Sequence, residues 1–163
     1  MVADSAELQQ KLTQSTEKLA GLALKKFDLQ DAWQLGTILR ELATERSLPI
    51  VIDIRQVDTP LFSVMLPGAT TANFDWARRK RNLVLLVGES SWQISLKTAL
   101  GTDYLALMDL PGRDFTPHGG CVPIRVEGVE GIVATVTISG LPQEQDHELA
   151  VEGLSLLSKS QRQ

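Results

Sequence analysis

The sequence predicts an α+β protein in which helices cover an antiparallel sheet. Apolar residues recur at helical spacing before residue 46, within 69–100 and after residue 142. Two pairs of short β-branched segments, within 49–66 and 122–139, alternate as the strands of hairpins do. Helices and hairpins that follow one another in blocks, without repeated βαβ units, are typical of the α+β class.

Length and composition favour one soluble domain spanning residues 1–163. A chain of 163 residues can bury about two-thirds of the surface that it exposes when unfolded. Its hydrophobic content of 43% and charged content of 22% are those of an ordinary globular protein. A net charge of −4 disfavours nucleic acid and anionic membranes as partners of the whole domain.

Cysteine usage and the N-terminal segment favour a cytoplasmic protein. Cys121 is the single cysteine, so an internal disulfide is excluded, and no zinc-binding spacing of Cys and His occurs, so we expect no metal site. The N-terminus lacks the basic start and apolar run of a signal peptide. No apolar stretch reaches the roughly 18 residues of a membrane span, so we expect no membrane insertion.

Two helices are predicted before the first strand. Leu8, Leu12, Leu19 and Leu22 lie on one side of an amphipathic helix over about 5–24, which could pack on its own domain or on a partner subunit. A second helix is expected to begin at Asp31, with Gln34 completing a capping box, and to end near residue 46.

The strands are predicted from alternation. Residues 49–54 place Ile50, Ile52 and Ile54 on one face, and residues 61–66 can pair with them as a hairpin. A second hairpin joins 122–126 to 132–139 through the turn at 127–130. A helix after Pro142 then closes the fold, and residues 158–163 are expected to form a frayed polar tail.

The segment 69–87 is the first with candidate functional residues. If it is helical, Asn73, Trp76 and Lys80 share a face with Leu83 and Val87. In one interpretation Trp76 is core, Asn73 caps a turn and the Lys80 ammonium reaches water. In the other the row faces a ligand and Lys80 contacts an anion. Residues 83–87 alone would also fit a strand.

The run Arg78-Arg79-Lys80-Arg81 raises a nucleic-acid hypothesis. Four consecutive helical residues point in nearly all directions, so the run cannot form one flat basic surface. We therefore expect a solvated or subunit-contacting helix face. A short helix capped at Ser90-Ser91 and a helical or irregular segment over 103–117 follow.

The corner His118-Gly119-Gly120 and His147 are the remaining candidates for a ligand site. Two adjacent glycines allow close approach of the backbone, and their N–H groups can face an anion, although glycine pairs also form ordinary turns. His147 shares a face with Ala150, Leu154 and Leu157, so it is expected to point towards the sheet as a structural residue or a ligand.

These residues in combination resemble the haem-degrading/GlcG/HbpS-like superfamily, and more closely its short intracellular branch from bacteria and fungi. The resemblance covers about 27–157, and the residues that carry it are Asn73, Trp76, Arg79-Lys80 and Asn82, then His118-Gly119-Gly120 with Pro123-Ile124, Val136 to Pro142, and Asp146 to Leu149. It implies a profilin-like α-β-α fold, an antiparallel sheet of about five strands and a stable homo-oligomer. The fifth strand would come from 22–27, 83–87 or 104–109.

Three functional hypotheses remain open. In the first, an oligomeric, non-catalytic protein binds a small anionic ligand or a protein partner through Asn73, Lys80 and the Gly119-Gly120 amides. In the second, the protein binds or degrades haem, as the resemblance implies for some members of the family, and His118 or His147 ligates the iron of this cofactor. In the third, an enzyme acts on a small organic acid with one of these histidines as general base and Lys80 holding the carboxylate. Trp76 lines the site in all three, and no motif assigns a catalytic residue.

Overall fold

The computed structural model describes residues 4–163 and contains one antiparallel sheet between two layers of helices. The strands are β1 Val51–Gln56, β2 Thr59–Met65, β3 Cys121–Ile124 and β4 Ala134–Ser139. Their order in the sheet is β2-β1-β4-β3, and every neighbouring pair is antiparallel. Both predicted hairpin pairings are therefore confirmed.

The expected fifth strand is absent from the described residues. Residues 83–87 are the last turn and a half of helix α3, which continues to Val87 because Gly88 ends it in the left-handed conformation (φ 84°). Residues 104–107 are a short helix. In the segment 22–27 only Leu24 forms a bridge, with Val126, so it extends the sheet by one residue. The sheet thus has four strands instead of five.

Six helices surround the sheet in the described part of the chain. They are α1 Ser5–Ala20, α2 Leu29–Glu45, α3 Thr71–Val87, α4 Ser91–Ala99, α5 Tyr104–Leu107 and α6 Gln143–Gln161. The cap of α2 differs from the prediction: Asp28, three residues earlier than expected, exchanges hydrogen bonds of 2.9 Å with Asp31 in a capping box.

The C-terminal segment is helical where fraying was expected. Helix α6 continues to Gln161, whose side-chain amide accepts a hydrogen bond from the Lys25 N–H and donates one to the Lys26 carbonyl. These bonds connect the last turn of α6 to the segment after α1. The polar composition of residues 158–163 gave no indication of this tertiary contact.

One face of the sheet carries the apolar core. Helices α2 and α6 cover this face, and the predicted row Ile50, Ile52 and Ile54 is fully buried beneath them. Other residues of this core are also completely or almost completely buried, and they include Leu35, Leu39, Val122, Val136, Ile138, Leu154 and Leu157.

The opposite face of the sheet is polar although it is also buried. Helix α3 covers it and contacts β1, β3 and β4. Asp53 on β1 accepts hydrogen bonds from Arg81 and Arg55, while the Thr135 and Thr137 hydroxyls of β4 lie beneath the helix. This polar layer opens to solvent at the end of β4, where the candidate site lies.

No helix among residues 4–163 combines the length and the apolar character needed to cross a membrane. The prediction that the N-terminus carries no signal peptide includes residues 1–3, which lie outside the described residues.

Candidate functional site

A pocket of about 330 Å³ lies where the first half of α3, the end of β4 and the start of α6 meet. Its lining includes four of the seven predicted site residues, which are Asn73, Trp76, Lys80 and His118. The other lining residues are Ser139, Gly140, Leu141, Gln143 and Asp146. The helical row of α3 therefore does face a cavity, as one of the two interpretations required.

Lys80 forms a buried ion pair at the base of this pocket. Its Nζ lies 3.0 Å from Asp146 Oδ2 and donates a second hydrogen bond of 3.0 Å to the Ile138 carbonyl. Lys80 is 3% exposed and Asp146 is 1% exposed, so the expectation that the ammonium reaches water is wrong. Burial lowers the pKa of Lys80 and raises the pKa of Asp146, while the attraction between the two charges opposes both changes.

Asp146 also organises the chain that enters α6. Its Oδ1 accepts a hydrogen bond of 3.0 Å from the Leu141 N–H, and Oδ2 accepts a longer one from the Gly140 N–H. One carboxylate therefore joins α3 to the β4–α6 connection. Because both oxygens are occupied and the ammonium is paired, the base of the pocket carries no net charge.

The glycine corner makes room for the Lys80 ammonium. A Cβ on Gly120 would lie 2.7 Å from Lys80 Nζ and 2.3 Å from the Ile138 carbonyl oxygen, and φ of 136° also favours glycine. The Gly119 N–H donates to Gln143 Oε1 at 2.9 Å. The corner thus has a structural reason for its glycines, and the Gly119 amide is already paired.

Two side-chain amides present their N–H₂ groups at the pocket. Asn73 Oδ1 accepts from the Thr70 N–H at 2.8 Å, and Gln143 Oε1 accepts from Gly119, so both oxygens are held by backbone donors. Within the described residues neither Nδ2 of Asn73 nor Nε2 of Gln143 has a hydrogen-bond partner. Asn73 therefore caps α3 and lines the pocket at once, so the two interpretations of this residue are compatible.

His118 lies at the mouth of the pocket with one nitrogen fixed. Its Nδ1 shares a hydrogen bond of 2.6 Å with Thr116 Oγ1, and its ring packs edge-on against Trp76 at 5.0 Å. Burial lowers the pKa of His118, and the positive charges of Lys80 and Arg79 lower it further, so the imidazole is neutral at pH 7. Nε2 remains free to donate or to accept.

His147 does not share this pocket. It is 6% exposed, and its ring lies 6.2 Å from Trp92 of α4, with Nε2 3.5 Å from Ser15 Oγ of α1. It therefore faces helices α1 and α4, and the expectation that it points towards the sheet is wrong. Burial lowers its pKa to about 4.

The four residues of the basic run 78–81 lie in four different environments. Arg78 pairs with Asp75 and Asp114 near the surface, and Arg79 lies 4.0 Å over the Trp76 ring. Arg81 is 5% exposed and donates to Asp53. The expectation of a solvated helix face is therefore partly correct for Arg78. It is wrong for Lys80 and Arg81, because the side of α3 that carries them packs against the sheet.

The sequence of the chain matches known proteins along most of its length. The family described as "Haem degrading protein HbpS-like" matches residues 27–155. A UPF0303 protein of Rhizobium leguminosarum bv. trifolii is 46% identical over 150 residues, which cover 92% of this chain and 90% of the relative. The chain belongs to the HbpS-like family.

Solved structures show the same fold for this HbpS-like chain. The crystal structure of the Ybr137w protein superposes with a TM-score of 0.85 at 29% identity, covering all of both chains. A structure described as the PduOC:Heme complex superposes with a TM-score of 0.68 at 20% identity, covering 79% of this chain and 93% of that one. The profilin-like α-β-α architecture is therefore shared.

Sequence reasoning missed three residues that shape the site of this HbpS-like protein. Asp146 was noted only among the residues that carry the family resemblance, and Gln143 and Thr116 were not considered. Asp146 lies 66 residues from its partner Lys80, so no spacing rule could pair them. A buried lysine on a sheet-facing helical row was the one available signal, because such a charge requires a partner.

Proposed function

We propose that this protein is a non-catalytic, oligomeric binder of a small anionic ligand and that the pocket between α3, β4 and α6 holds the ligand. The proposal rests on one observation above all. The hydrogen-bonding groups left free at the pocket are mainly donors, since the acceptor oxygens of Asn73, Gln143 and Asp146 are already occupied.

Donors of this kind select for oxygen-rich ligands. The Nδ2 of Asn73 and the Nε2 of Gln143 each offer N–H groups, and the Lys80 ammonium has one N–H beyond the two that it uses. A carboxylate can accept several such bonds, whereas an ammonium or an amine donor would find no free acceptor among these groups. The pocket volume of about 330 Å³ limits the ligand to a small molecule.

The charges near the pocket favour an anion that is held by hydrogen bonds over an anion that forms an ion pair with the protein. Asp146 neutralises Lys80, and Arg79, the cation stacked on Trp76, pairs with Asp75 at 3.0 Å. The same pairing weakens the hypothesis of an enzyme on an organic acid. That hypothesis needed Lys80 to hold the substrate, and it loses His147 as an alternative base because His147 lies in a different part of the protein.

The proposal is tested by calorimetric titration with succinate and with its uncharged diamide. We expect saturable binding of succinate and weaker binding of the diamide. The variants Asn73→Asp and Gln143→Glu keep the oxygen that accepts from the backbone and remove the free N–H₂ group. Each should weaken succinate binding about tenfold or more, because a hydrogen bond to a charged group contributes about 1.5–3 kcal/mol.

The matched control is Gln145→Glu, which adds the same charge to α6 at an exposed position outside the pocket. It should leave the affinity within about twofold, as expected for a surface charge. Equal losses in Gln143→Glu and Gln145→Glu would contradict direct contact. Absence of binding to every small mono- and dicarboxylate tested would contradict the proposed ligand class.

Haem is a second candidate ligand, and one observation favours it. Metal-ligating histidines are usually held by a hydrogen bond on the second ring nitrogen, and Thr116 holds Nδ1 of His118 while Nε2 stays free. A haem complex is also named among proteins of the same fold. The fit is incomplete, however, because Trp76 and Leu141 are the only large apolar side chains among the described residues that line this small pocket.

His147 does not offer a better haem ligand. Its Nε2 faces Ser15, and its Nδ1 is enclosed without exposure to solvent. The residues of one chain therefore supply a ligand nitrogen at His118 without an apolar slot for the macrocycle. For this reason we place haem second.

A haem titration distinguishes the two candidates. If haem is ligated by His118, the Soret band should shift on binding in the native protein and in His147→Ala but not in His118→Ala. An unshifted Soret band in the native protein, or an equal shift in the double variant His118→Ala/His147→Ala, would exclude histidine ligation.

A further inference from the structure

A second and larger cavity lies on the other side of α6, in a groove between α1 and α6. Its volume is about 560 Å³, within the range of typical small-molecule sites. The groove exists because α1 packs against α4 and makes few contacts with α6. It shares none of its lining residues with the pocket of the proposed function.

Contacts between the two helices close the groove at both ends. Lys11 of α1 and Glu144 of α6 form an ion pair of 2.9 Å across the first end. At the second end Leu19 and Leu154 belong to the same apolar cluster, and Gln161 binds the backbone of Lys25. A groove that is bounded in this way suits a compact molecule better than a partner helix, which would need to pass through.

The floor of the groove is aromatic and apolar but contains polar atoms without partners. Trp92, His147 and Val151 are at least nine-tenths buried and line it together with Leu156. Within the described residues neither His147 Nδ1 nor Ser155 Oγ has a hydrogen-bond partner, although both atoms are buried. Buried polar groups without a partner are rare in folded proteins.

The charges on the rim are not evenly compensated. Lys11 is paired with Glu144, and Glu152 is paired with Arg46. In the part of the chain that the structure describes, three charged residues line the groove without an ion pair, Glu148 near the first end and the two lysines Lys18 and Lys159. Both lysines belong to the second half of the groove, beyond Trp92, and helical side chains reach back towards the N-terminal ends of their helices.

We infer that the groove between α1 and α6 is a second ligand site, for an amphipathic aryl or alkyl carboxylate. The apolar body of the ligand packs against Trp92 and Val151. Its carboxylate lies between the ammonium groups of Lys18 and Lys159. The inference is independent of the proposed function because the two cavities share no residue.

The test uses Trp92 as a reporter in the full-length protein. The chain has three tryptophans, so the variant Trp33→Phe/Trp76→Phe leaves Trp92 alone. Titration with 4-phenylbutyrate should change the Trp92 emission saturably. The uncharged analogue 4-phenyl-1-butanol should bind about fivefold or more weakly, because it cannot form ion pairs with the two exposed ammonium groups.

Two double variants identify the carboxylate contacts. Lys18→Ala/Lys159→Ala should reduce the affinity for 4-phenylbutyrate to that for the alcohol. Lys25→Ala/Arg40→Ala removes the same charge from exposed positions outside the groove and should leave the affinity unchanged. Calorimetry on the protein with all three tryptophans gives the same comparison if the reporter variant does not fold.

Three outcomes would overturn the inference. They are the absence of a saturable Trp92 response, equal affinity for the acid and the alcohol, and equal losses in the two double variants. Success or failure of succinate binding at the other pocket leaves each of these outcomes unaffected, so the two proposals fail separately.

Discussion

At the scale of single residues, the neighbours of each ring determine the chemistry of the two histidines. His118 keeps a free Nε2 at the mouth of a pocket, whereas His147 is enclosed by Ser15 and Trp92. The two residues are the only histidines in the sequence, and their positions along the chain do not distinguish their roles. The difference arises from the elements that pack against each ring.

The low pKa of His147 predicts a loss of stability in acid. Its pKa is about 4 in the folded protein, compared with 6.5 for an ordinary histidine. A lowered pKa contributes stability above pH 6.5, and that contribution is lost as the pH falls towards 4, because only the unfolded chain takes up the proton readily. The loss corresponds to about 3 kcal/mol of unfolding free energy at pH 4 relative to pH 8.

Urea denaturation at pH 8 and pH 4 measures this loss when the native protein is compared with His147→Phe. The carboxylates near the groove, Glu144 and Glu148, are present in both proteins, so the difference between the two proteins isolates the histidine. We expect the phenylalanine variant to lose about 3 kcal/mol less than the native protein on acidification. An identical pH dependence would show that His147 is not enclosed as described.

At the scale of elements, the contact between α2 and β2 depends on Gly36. A Cβ at this position would lie 2.3–2.4 Å from the Phe62 ring, and Trp33 packs edge-on against the same ring. The helix therefore lies directly on the aromatic ring. A side chain at position 36 would force the helix and the strand apart.

Gly36→Ala is expected to destabilise the protein by about 1–3 kcal/mol, the usual cost of overpacking, despite the higher helix propensity of alanine. Gly112→Ala is the matched control, because no atom lies within 4 Å of its Cβ and its φ is not positive. It should change the unfolding free energy by less than about 0.5 kcal/mol. Thermal or urea unfolding of both variants measures the difference, and equal effects would contradict the close packing.

At the scale of the whole molecule, the open edge of the sheet points to association with a second copy. Among residues 4–163 no strand pairs with the outer side of β2, and β2 carries no charged residue that would protect the edge. Trp33 on α2 is 60% exposed beside it, and Met65 of β2 is 43% exposed. Two β2 strands related by a twofold axis would pair antiparallel and would cover this surface.

We therefore expect a homo-oligomer whose mass is a multiple of 17.9 kDa by light scattering. Trp33→Lys should shift the distribution towards smaller species, because a charge would be buried at the interface. Val129→Lys, which changes an exposed apolar residue in the β3–β4 turn, should not. A monomeric native protein at micromolar concentration, or an equal effect of both variants, would contradict this arrangement.

Local patterns were sufficient for most of the elements. The alternation of Ile50, Ile52 and Ile54 predicted the buried face of β1, and the hydroxyl of Ser90 predicted the start of α4. These features depend on interactions between residues close in sequence, so a local sequence pattern is sufficient to predict them. The resemblance to the HbpS-like family was also recognisable from residues alone, and residues 27–155 match that family.

The arrangement of the site was decided by the tertiary structure. The row Asn73, Trp76 and Lys80 was visible as a helical face, but its meaning depended on Asp146, which the fold brings to Lys80 from 66 residues away. Likewise, His147 belongs to a groove and not to the pocket because α1 packs beside it. The sequence by itself determined most of the helices, the two hairpins and the family. Only the tertiary structure decided which charges are neutralised and which donors stay free, because those depend on partners distant along the chain.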